Sequence, residues 1–413
     1  MKEEKIILDN GLTIYFLNDN SKHTTLANLI INFGGLDDKY ILDGKIKKLK
    51  SGTAHFLEHT VLESTEFGDL MEYFGLNGVR SNGLTTISRT EFYIDTIKDF
   101  NKYLIHLIKG IHNPIFNKDK IEDIRKPILE EKRRSLDNKY SNLYNANVST
   151  YINNKNFKSI LGDIADIKSI NINDLEHAFR AFYRPSNETL IISGNFNKNE
   201  VLAVIKDTYN NIIFDNNIFN KYDYPLNNKV NKKEVIIKDN TNIGRTVITF
   251  KINTQSKKPY EKLILDTFIY SFLRMNFGIT SKLNKYLIEN EIIIGNIAFL
   301  TDIIDGFHII KLEANTNKKQ EFIKNILNYI NKKEYIFDEE LFNLYKKGYI
   351  IDLIVRNDSI YNMLDPFIQN IIYFKYEKLD SVNDIENMSF KDFKNIILSI
   401  NFNNYSVTEL RKK

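Results

Sequence analysis

The sequence contains no cysteine among its 413 residues, which excludes disulfide bonds and thiolate metal sites. It also lacks any apolar run of the ~18 residues that a membrane-spanning helix needs, so it predicts no transmembrane segment. The excess of one sign of charge is small as well, since 57 Lys and Arg residues face 53 Asp and Glu residues. A net charge of +4 is too small in a chain of this length to indicate a nucleic-acid partner.

The start of the sequence, residues 1–9, mixes charges and then enters a strand-like run. It carries neither the apolar core of a signal peptide nor an Arg-rich transit segment, so we expect a cytoplasmic protein without a membrane partner. The chain is long for a single core and suits about two domains. Its 42% hydrophobic and 27% charged residues are ordinary for a globular protein.

Strand-like and helix-like segments alternate along both halves, which predicts an α+β fold. Residues 211–233 are rich in Asn, Asp and Lys and show little periodicity, as linkers do. We therefore predict a first domain over 1–215, a linker over 216–233 and a second domain over 234–413. Apolar positions at helical spacing predict a long helix over 117–150, kinked or divided at Pro127.

The stretch His55-Phe56-Leu57-Glu58-His59 reads H-x-x-E-H, the inverted zinc-peptidase signature. On a helix, residues four apart share a face, so both imidazoles can point at one metal ion. Glu58 lies on the same side, close enough to take a proton from a water that the metal activates. The alternative is a pair of helical histidines without a metal. Because the chain has only 7 histidines, a chance match has a probability of about 1 in 100 or less.

A helix carrying this motif is predicted over 53–64, with capping groups offered by Ser51, Gly52 and Thr53. Zinc in hydrolases usually takes a third protein ligand. A carboxylate is the better candidate, because packed or surface positions explain the remaining histidines more simply, namely His23, His106, His112, His177 and His308. The run Ile128-Leu129-Glu130-Glu131 presents two carboxylates in a predicted helix. Local physics leaves Glu130 and Glu131 equally open.

These motifs resemble the pitrilysin or insulinase family of zinc metallopeptidases, and most of all its processing-peptidase-like bacterial members. In that family the zinc-ligating Glu is typically the second Glu of a run like I-L-E-E-I. The resemblance therefore implies that Glu131, 72 residues after His59, is the third ligand. Four more segments are similar to family motifs: Gly34-Gly35, Asn82-Gly83-Leu84-Thr85, Ile160-Leu161-Gly162, and Phe182 to Asn187.

The resemblance implies two homologous α+β domains, each an antiparallel sheet with helices packed on it, arranged as one half of a clamshell. It further implies that the second domain is catalytically inactive. The activity it implies is zinc-dependent endopeptidase cleavage of peptides or unfolded segments in an enclosed chamber. His55, His59 and Glu131 would hold Zn²⁺, Glu58 would activate water, and Asn82 would contact the substrate backbone.

The second half departs from the family pattern. Single-chain relatives carry an Arg and a Tyr there that help to hold substrate, whereas Ile288 and Ile294 stand at the similar positions. The alternative is that the pair is displaced along the chain, since Arg274 and Tyr286 lie nearby. An Ile side chain donates no hydrogen bond to an oxyanion. The resemblance therefore implies a heterodimer with a homologous chain that supplies the missing groups, a homodimer being the alternative.

A different class of function is a non-catalytic family member that acts as a scaffold or regulatory subunit. The intact H-x-x-E-H and Glu131 argue against it, because a scaffold has no need of a water-activating Glu. A metal-storage or sensor module is disfavoured, since three ligands with a base describe an open catalytic site.

Overall fold

Two large sheets organise this chain, as its computed structural model shows for residues 2–152, 154, 157–224, 227–304, 306–379 and 382–413. The chain divides into two units, Met1–Asp137 with Asn154–Tyr224 and Asn138–Asn153 with Pro225–Lys413. Each unit combines a mainly antiparallel sheet with helices, so the predicted α+β class is confirmed. Of the helices among the described residues, none is both long and apolar enough to cross a bilayer.

The strands of the first unit form a six-stranded and a three-stranded sheet. They are β1 (Lys2–Ile7), β2 (Thr13–Asn18), β3 (Thr25–Ile31), β4 (Lys39–Leu42), β5 (Lys45–Lys48), β6 (Arg80–Thr85), β7 (Thr90–Thr96), β8 (Glu188–Gly194) and β9 (Phe219–Lys221). The large sheet has the order β1-β2-β8-β3-β7-β6, and the small one β5-β4-β9. Strand β3 is buried along its whole length, as expected for a strand covered on both faces.

The helices of the first unit pack on this large sheet and enclose the apolar core. They are α1 (Thr53–Glu63), α2 (Leu70–Leu76), α3 (Phe100–His112), α4 (Lys118–Asp137), α6 (Ile164–Ser169), α7 (Ile172–Phe182) and α8 (Lys198–Asn210), with a 3₁₀ turn at Pro185–Asn187. The intervening helix, α5 (Lys139–Tyr151), belongs to the second unit. Helix α3 shows why such segments fold this way, because its buried apolar residues recur at helical spacing.

The second unit is built on a five-stranded sheet. Its strands are β10 (Glu234–Asp239), β11 (Arg245–Asn253), β12 (Ile294–Ile304), β13 (Phe307–Asn315) and β14 (Tyr405–Lys412), in the order β10-β14-β11-β13-β12. Its remaining helices are α9 (Pro259–Phe277), α10 (Lys282–Glu289), α11 (Lys319–Lys332), α12 (Glu339–Asn357), α13 (Ile360–Gln369), α14 (Val382–Glu386) and α15 (Phe390–Ser399), with a π-helical turn at Asn370–Phe374.

The two large sheets repeat one topology. In the first, β2 pairs in parallel with β8, and antiparallel pairs then link β8, β3, β7 and β6. In the second, β10 pairs in parallel with β14, and antiparallel pairs link β14, β11, β13 and β12. Among the described residues, each large sheet thus combines one parallel pair of strands with antiparallel pairs. Helices α1 and α2 of the first unit correspond in chain order to α9 and α10 of the second.

The long predicted helix divides at a different residue from the one expected. Helix α4 continues through Pro127 and ends at Asp137. Asn138 then caps α5, because its side chain accepts hydrogen bonds from the backbone N–H groups of Tyr140 and Ser141. A cap after a completed helix is therefore what separates the two segments. The loss of one hydrogen bond at Pro127 does not divide them.

The predicted linker, residues 216–233, also contains regular structure, although residues 225 and 226 lie outside the described residues. Strand β9 lies within it and pairs with β4 of the first unit. Lys221 Nζ lies 3.1 Å from an Asp37 carboxylate oxygen, which anchors this strand further. The division of the chain at Tyr224 thus falls inside the predicted linker, and α5, predicted in the first domain, groups with the second unit.

Candidate metal centre

Helix α1 begins with a glycine in a backbone conformation that other residues adopt only under strain. Gly52 is the N-cap residue, has φ 88° and has no side chain that could cap the helix. The hydroxyl of the next residue, Thr53, donates a hydrogen bond to the Lys50 carbonyl. A Cβ atom at Gly52 would lie 2.6 Å from the Leu161 carbonyl oxygen. The close approach of the loop at Leu161 therefore requires glycine here, which explains the start of the helix without the capping side chain predicted from sequence.

The two motif histidines lie on the same face of α1. Their ring centroids are 4.8 Å apart and the ring planes make an angle of 76°. His55 is buried, whereas the His59 side chain keeps 24% of its surface exposed. Burial, together with the neighbouring His59, lowers the pKa of His55 to about 3, so that this imidazole is neutral at neutral pH. Neutral imidazole is the form that binds a metal ion.

Helix α4 brings a carboxylate to these rings. Glu131 Oε2 lies 3.5 Å from His55 Nε2 and 4.0 Å from His59 Nε2. One ligand atom from each of the three residues lies within 4.8 Å of the other two. A tetrahedral zinc ion with bonds of 2.0–2.2 Å separates its ligand atoms by about 3.3 Å. The two histidine–glutamate distances exceed that value by about 0.2 and 0.7 Å, and no pair of ligand atoms exceeds it by more than about 1.5 Å. Small side-chain movements would close these gaps, so the donor set fits zinc.

The neighbouring carboxylate takes a different direction. Glu130 pairs with Arg133 one turn further along α4, and both side chains are more than half exposed. Among the described residues, the His55, His59 and Glu131 cluster is the one group of three or more such side chains able to hold a metal. The geometry therefore favours Glu131 over Glu130, which local physics left open.

Contacts behind the site hold α4 against α1. The Arg125 guanidinium donates to the Ile170 carbonyl over 2.8 Å and lies 5.2 Å from the centre of the Phe56 ring. Buried Lys132, next to Glu131, donates to Ser159 Oγ over 2.9 Å. Ser159 in turn donates to the carbonyl of Gly162, in the loop that packs on Gly52. The carboxylate helix and the histidine helix are thus joined through one loop.

The proposed general base is buried and held in place. Glu58 is 8% exposed, and its Oε2 accepts a hydrogen bond from Thr85 Oγ1 on β6. A Cβ atom at Gly83 would lie 2.9 Å from Glu58 Oε1, so the strand backbone also lies against this carboxylate. Burial raises the pKa of Glu58 above its ordinary value, although the Thr85 hydroxyl and His59 oppose the shift.

The predicted substrate contact, Asn82, is exposed on β6, which is the edge strand of the large sheet. Successive side chains of a strand point to opposite faces, so Asn82 points away from the face on which Thr85 meets Glu58. A contact between Asn82 and a substrate backbone stays a prediction.

The second imidazole has a carboxylate partner that sequence reasoning missed. Glu63 Oε1 lies 2.7 Å from His59 Nδ1. Burial alone would lower the pKa of His59, but Glu63, Glu58 and Glu131 outweigh it and raise the pKa. The spacing of four residues between His59 and Glu63 on one helix face was the available signal. Thr85 belongs to the segment Asn82-Gly83-Leu84-Thr85 that resembles a family motif, but its partner Glu58 lies far away in sequence, so no local spacing indicated their hydrogen bond.

The other histidines lie elsewhere. His23 and His177 are exposed, and His106 stacks on Tyr73. His112 and His308 are buried. Within the second unit, Ile288 on α10 and Ile294 at the start of β12 are 39% and 50% exposed. Neither side chain can donate a hydrogen bond.

Two family models match the chain. Residues 14–163 match the insulinase family, peptidase family M16, and residues 169–349 match the M16 peptidase inactive domain. The uncharacterized zinc protease YmfH of Bacillus subtilis is 22% identical over 94% of this chain and 92% of its own length.

Solved structures share the fold. An M16-like peptidase from Alicyclobacillus acidocaldarius superposes with a TM-score of 0.85 at 18% identity, covering 100% of this chain and 98% of its own. The periplasmic protease PqqL of Escherichia coli superposes with a TM-score of 0.75 at 15% identity. That match covers 99% of this chain but only 47% of PqqL.

Proposed function

Because this chain belongs to the insulinase family of metallopeptidases, peptidase family M16, we propose that it is a zinc-dependent endopeptidase. The observation that carries the proposal is the convergence of His55, His59 and Glu131 next to a buried Glu58. Three protein ligands leave a fourth tetrahedral position for water or substrate, as in catalytic zinc sites. The similarity to relatives named zinc proteases supports the same activity.

Zinc, when bound, would supply a Lewis acid that makes water nucleophilic near neutral pH. The residues of the chain would then handle the protons. Glu58 accepts a proton from the attacking water and returns it to the leaving amine. Thr85 holds the carboxylate in place, because its hydroxyl donates a hydrogen bond to Glu58 Oε2.

The substrate is proposed to be a peptide or an unfolded segment in an extended conformation. Strand β6 is an edge strand, and Gly83 and Thr85 on it adjoin Glu58. A peptide that pairs with this edge through its backbone would therefore run beside the proposed base. Asn82, exposed on the same strand, is the proposed contact to that backbone.

We further propose that cleavage occurs in an enclosed chamber formed with a homologous partner chain. The chain matches about half of PqqL, and Ile288 and Ile294 stand where single-chain relatives are expected to carry polar groups. The second domain would be catalytically inactive, in line with the inactive-domain family model that residues 169–349 match. The cytoplasmic location stays a prediction, since PqqL is named a periplasmic protease.

The substitution Glu58→Gln tests the catalytic role. The amide keeps the shape of the side chain but cannot accept a proton, so we expect full zinc content and a loss of turnover of about 10²- to 10⁴-fold. Zinc would be measured by elemental analysis and turnover with a quenched fluorescent peptide. Near wild-type cleavage would refute the role of Glu58, and loss of zinc would mark it as a ligand instead.

A further inference from the structure

One of the two histidines at the proposed metal site has a carboxylate behind it and the other does not. Glu63 lies one helical turn after His59, at the end of α1, and its Oε1 is 2.7 Å from His59 Nδ1. A carboxylate is an acceptor, so a hydrogen bond of this length requires the ring proton on Nδ1. In the neutral ring, the form that binds a metal ion, the lone pair of His59 is then on Nε2, the atom that lies 4.0 Å from Glu131 Oε2.

His55 differs in this respect. Its Nδ1 is buried and has no hydrogen-bond partner among the described residues. Its Nε2 lies 3.5 Å from Glu131 Oε2, so it faces the same point as the ring of His59. The orientation of His55 is therefore determined by the packing around a buried ring, and that of His59 by a specific side chain.

We propose that Glu63 is a positioning residue for His59, which it holds in the Nδ1-protonated tautomer and makes a stronger zinc ligand. The proposal rests on the zinc site proposed above. A carboxylate behind a metal-bound imidazole fixes the ring and raises its basicity, and removal of such a partner typically lowers metal affinity by about 10- to 100-fold. His59 keeps 24% of its side-chain surface exposed. Packing alone thus restrains it less than it restrains His55.

The test compares Glu63→Ala, Glu63→Gln and the control Glu66→Gln, using zinc dissociation constants from chelator competition. Glu66 is an exposed carboxylate just beyond the same helix. We expect Glu63→Ala to weaken zinc binding by about 10- to 100-fold. Glu63→Gln should weaken it less, because the amide oxygen still accepts from Nδ1. Glu66→Gln should bind zinc as the wild type does.

A second readout does not depend on zinc. Long-range ¹⁵N NMR correlations of the imidazole rings in zinc-free protein, recorded at a pH above the raised pKa of His59 so that the ring is neutral, should show His59 protonated on Nδ1 in the wild type and a tautomer mixture in Glu63→Ala. The His55 signals should stay unchanged. A His59 ring protonated on Nε2, or zinc affinity in Glu63→Ala within twofold of wild type, would overturn the proposal. If the wild type bound no zinc, the proposed function would be refuted. The NMR result would still test whether Glu63 fixes the tautomer of His59.

Discussion

At the scale of single residues, different contacts support the two neighbouring glutamates of α4. Glu131 faces the histidines, whereas Glu130 forms an exposed ion pair with Arg133. Exposed ion pairs of that kind contribute roughly 0–1 kcal/mol to the free energy of unfolding. A ligand carboxylate, in contrast, is needed for metal affinity. Two adjacent residues of the same type and helix thus make a matched pair for substitution.

We expect Glu131→Gln to lose zinc at concentrations where the wild type is saturated, because the neutral amide replaces the anionic oxygen ligand. Glu130→Gln should retain one zinc per chain and its turnover. Elemental analysis after dialysis against a weak chelator measures both. Zinc retained by Glu131→Gln and lost by Glu130→Gln would reverse the assignment.

The sequence could predict the histidine pair and Glu58, because helical periodicity fixes the relation between residues three and four apart. It could not choose Glu131 over Glu130 by local physics, since adjacent helix positions differ by about 100° and the bundle decides which faces the metal. Thr85 was equally out of reach. Its contact with Glu58 depends on how β6 packs on α1, which no local pattern encodes.

At the scale of elements, the start of α1 depends on the backbone of a loop. A Cβ atom at Gly162, where φ is 86°, would lie 2.4 Å from the Ser51 carbonyl oxygen. Gly68 has nearly the same φ, 85°, but open space around its Cβ position. Substitution of Gly68 therefore measures the effect of the left-handed backbone alone on the free energy of unfolding, whereas substitution of Gly162 adds the effect of crowding.

We expect Gly68→Ala to lower the free energy of unfolding by about 1–2 kcal/mol, the cost of placing an L side chain in this region. Gly162→Ala should lose about 1–3 kcal/mol more, because the methyl group must push the loop away from α1. It should also weaken zinc binding, since His55 lies on the first turn of that helix. Urea titrations and chelator competition measure both effects. Equal losses in the two variants would show that the close packing is unimportant.

A buried ionic cluster joins α3, β8 and α8. His112 Nε2 lies 2.9 Å from Glu188 Oε1 and its Nδ1 2.7 Å from the Ile108 carbonyl, while the Tyr209 hydroxyl donates to Glu188. Both ring nitrogens face acceptors, so the doubly protonated imidazolium fits the site. Burial would lower the pKa of His112, but Glu188 and the Ile108 carbonyl outweigh it and raise the pKa.

A raised pKa in the folded state stabilises the fold fully below the unfolded value of about 6.5. That contribution is lost as pH rises through the folded-state pKa, at up to about 1.4 kcal/mol per pH unit for one proton. We expect the free energy of unfolding of His112→Gln to lack this decrease with rising pH, because the variant has no imidazole to lose a proton. Urea unfolding of wild type and variant between pH 6 and 9 gives the difference. A constant difference across that range would contradict a charged His112.

Some boundaries of helices and strands could be predicted from the sequence and others could not. The sequence located the helix of the metal motif, predicted over 53–64 and observed as Thr53–Glu63. It did not predict that the long helix ends at Asp137 and that a new helix starts after Asn138, whose side chain caps α5. It also missed β9, a strand of three residues that exists only through its pairing with β4.

At the scale of the whole molecule, the two large sheets repeat one strand order. The sequence showed only that strand-like and helix-like segments alternate along both halves, since a shared topology needs equivalent burial but not equivalent residues. The assignment of α5 to the second unit was equally hidden. Asn147 on α5 donates to Thr249 and Thr408 on β11 and β14, and these contacts are far apart in sequence.

The proposed heterodimer can be tested with the whole chain. We expect the chain to form a stable complex with its closest homologue from the same genome, especially one lacking H-x-x-E-H, and to cleave peptides faster in that complex. Light scattering gives the mass of the complex and a peptide assay its rate. Full activity of a pure monomer or homodimer, unchanged by the homologue, would rule the heterodimer out.

Zinc-dependent peptide cleavage is the most direct test of the central claim. An unstructured peptide library would be incubated with zinc-loaded and zinc-free protein, each with and without the homologue, and the products identified by mass spectrometry. The proposed function predicts internal peptide-bond cleavage that requires zinc and disappears in Glu58→Gln. Zinc bound at one ion per chain with no cleavage in any mixture, or cleavage that persists without zinc, would contradict it.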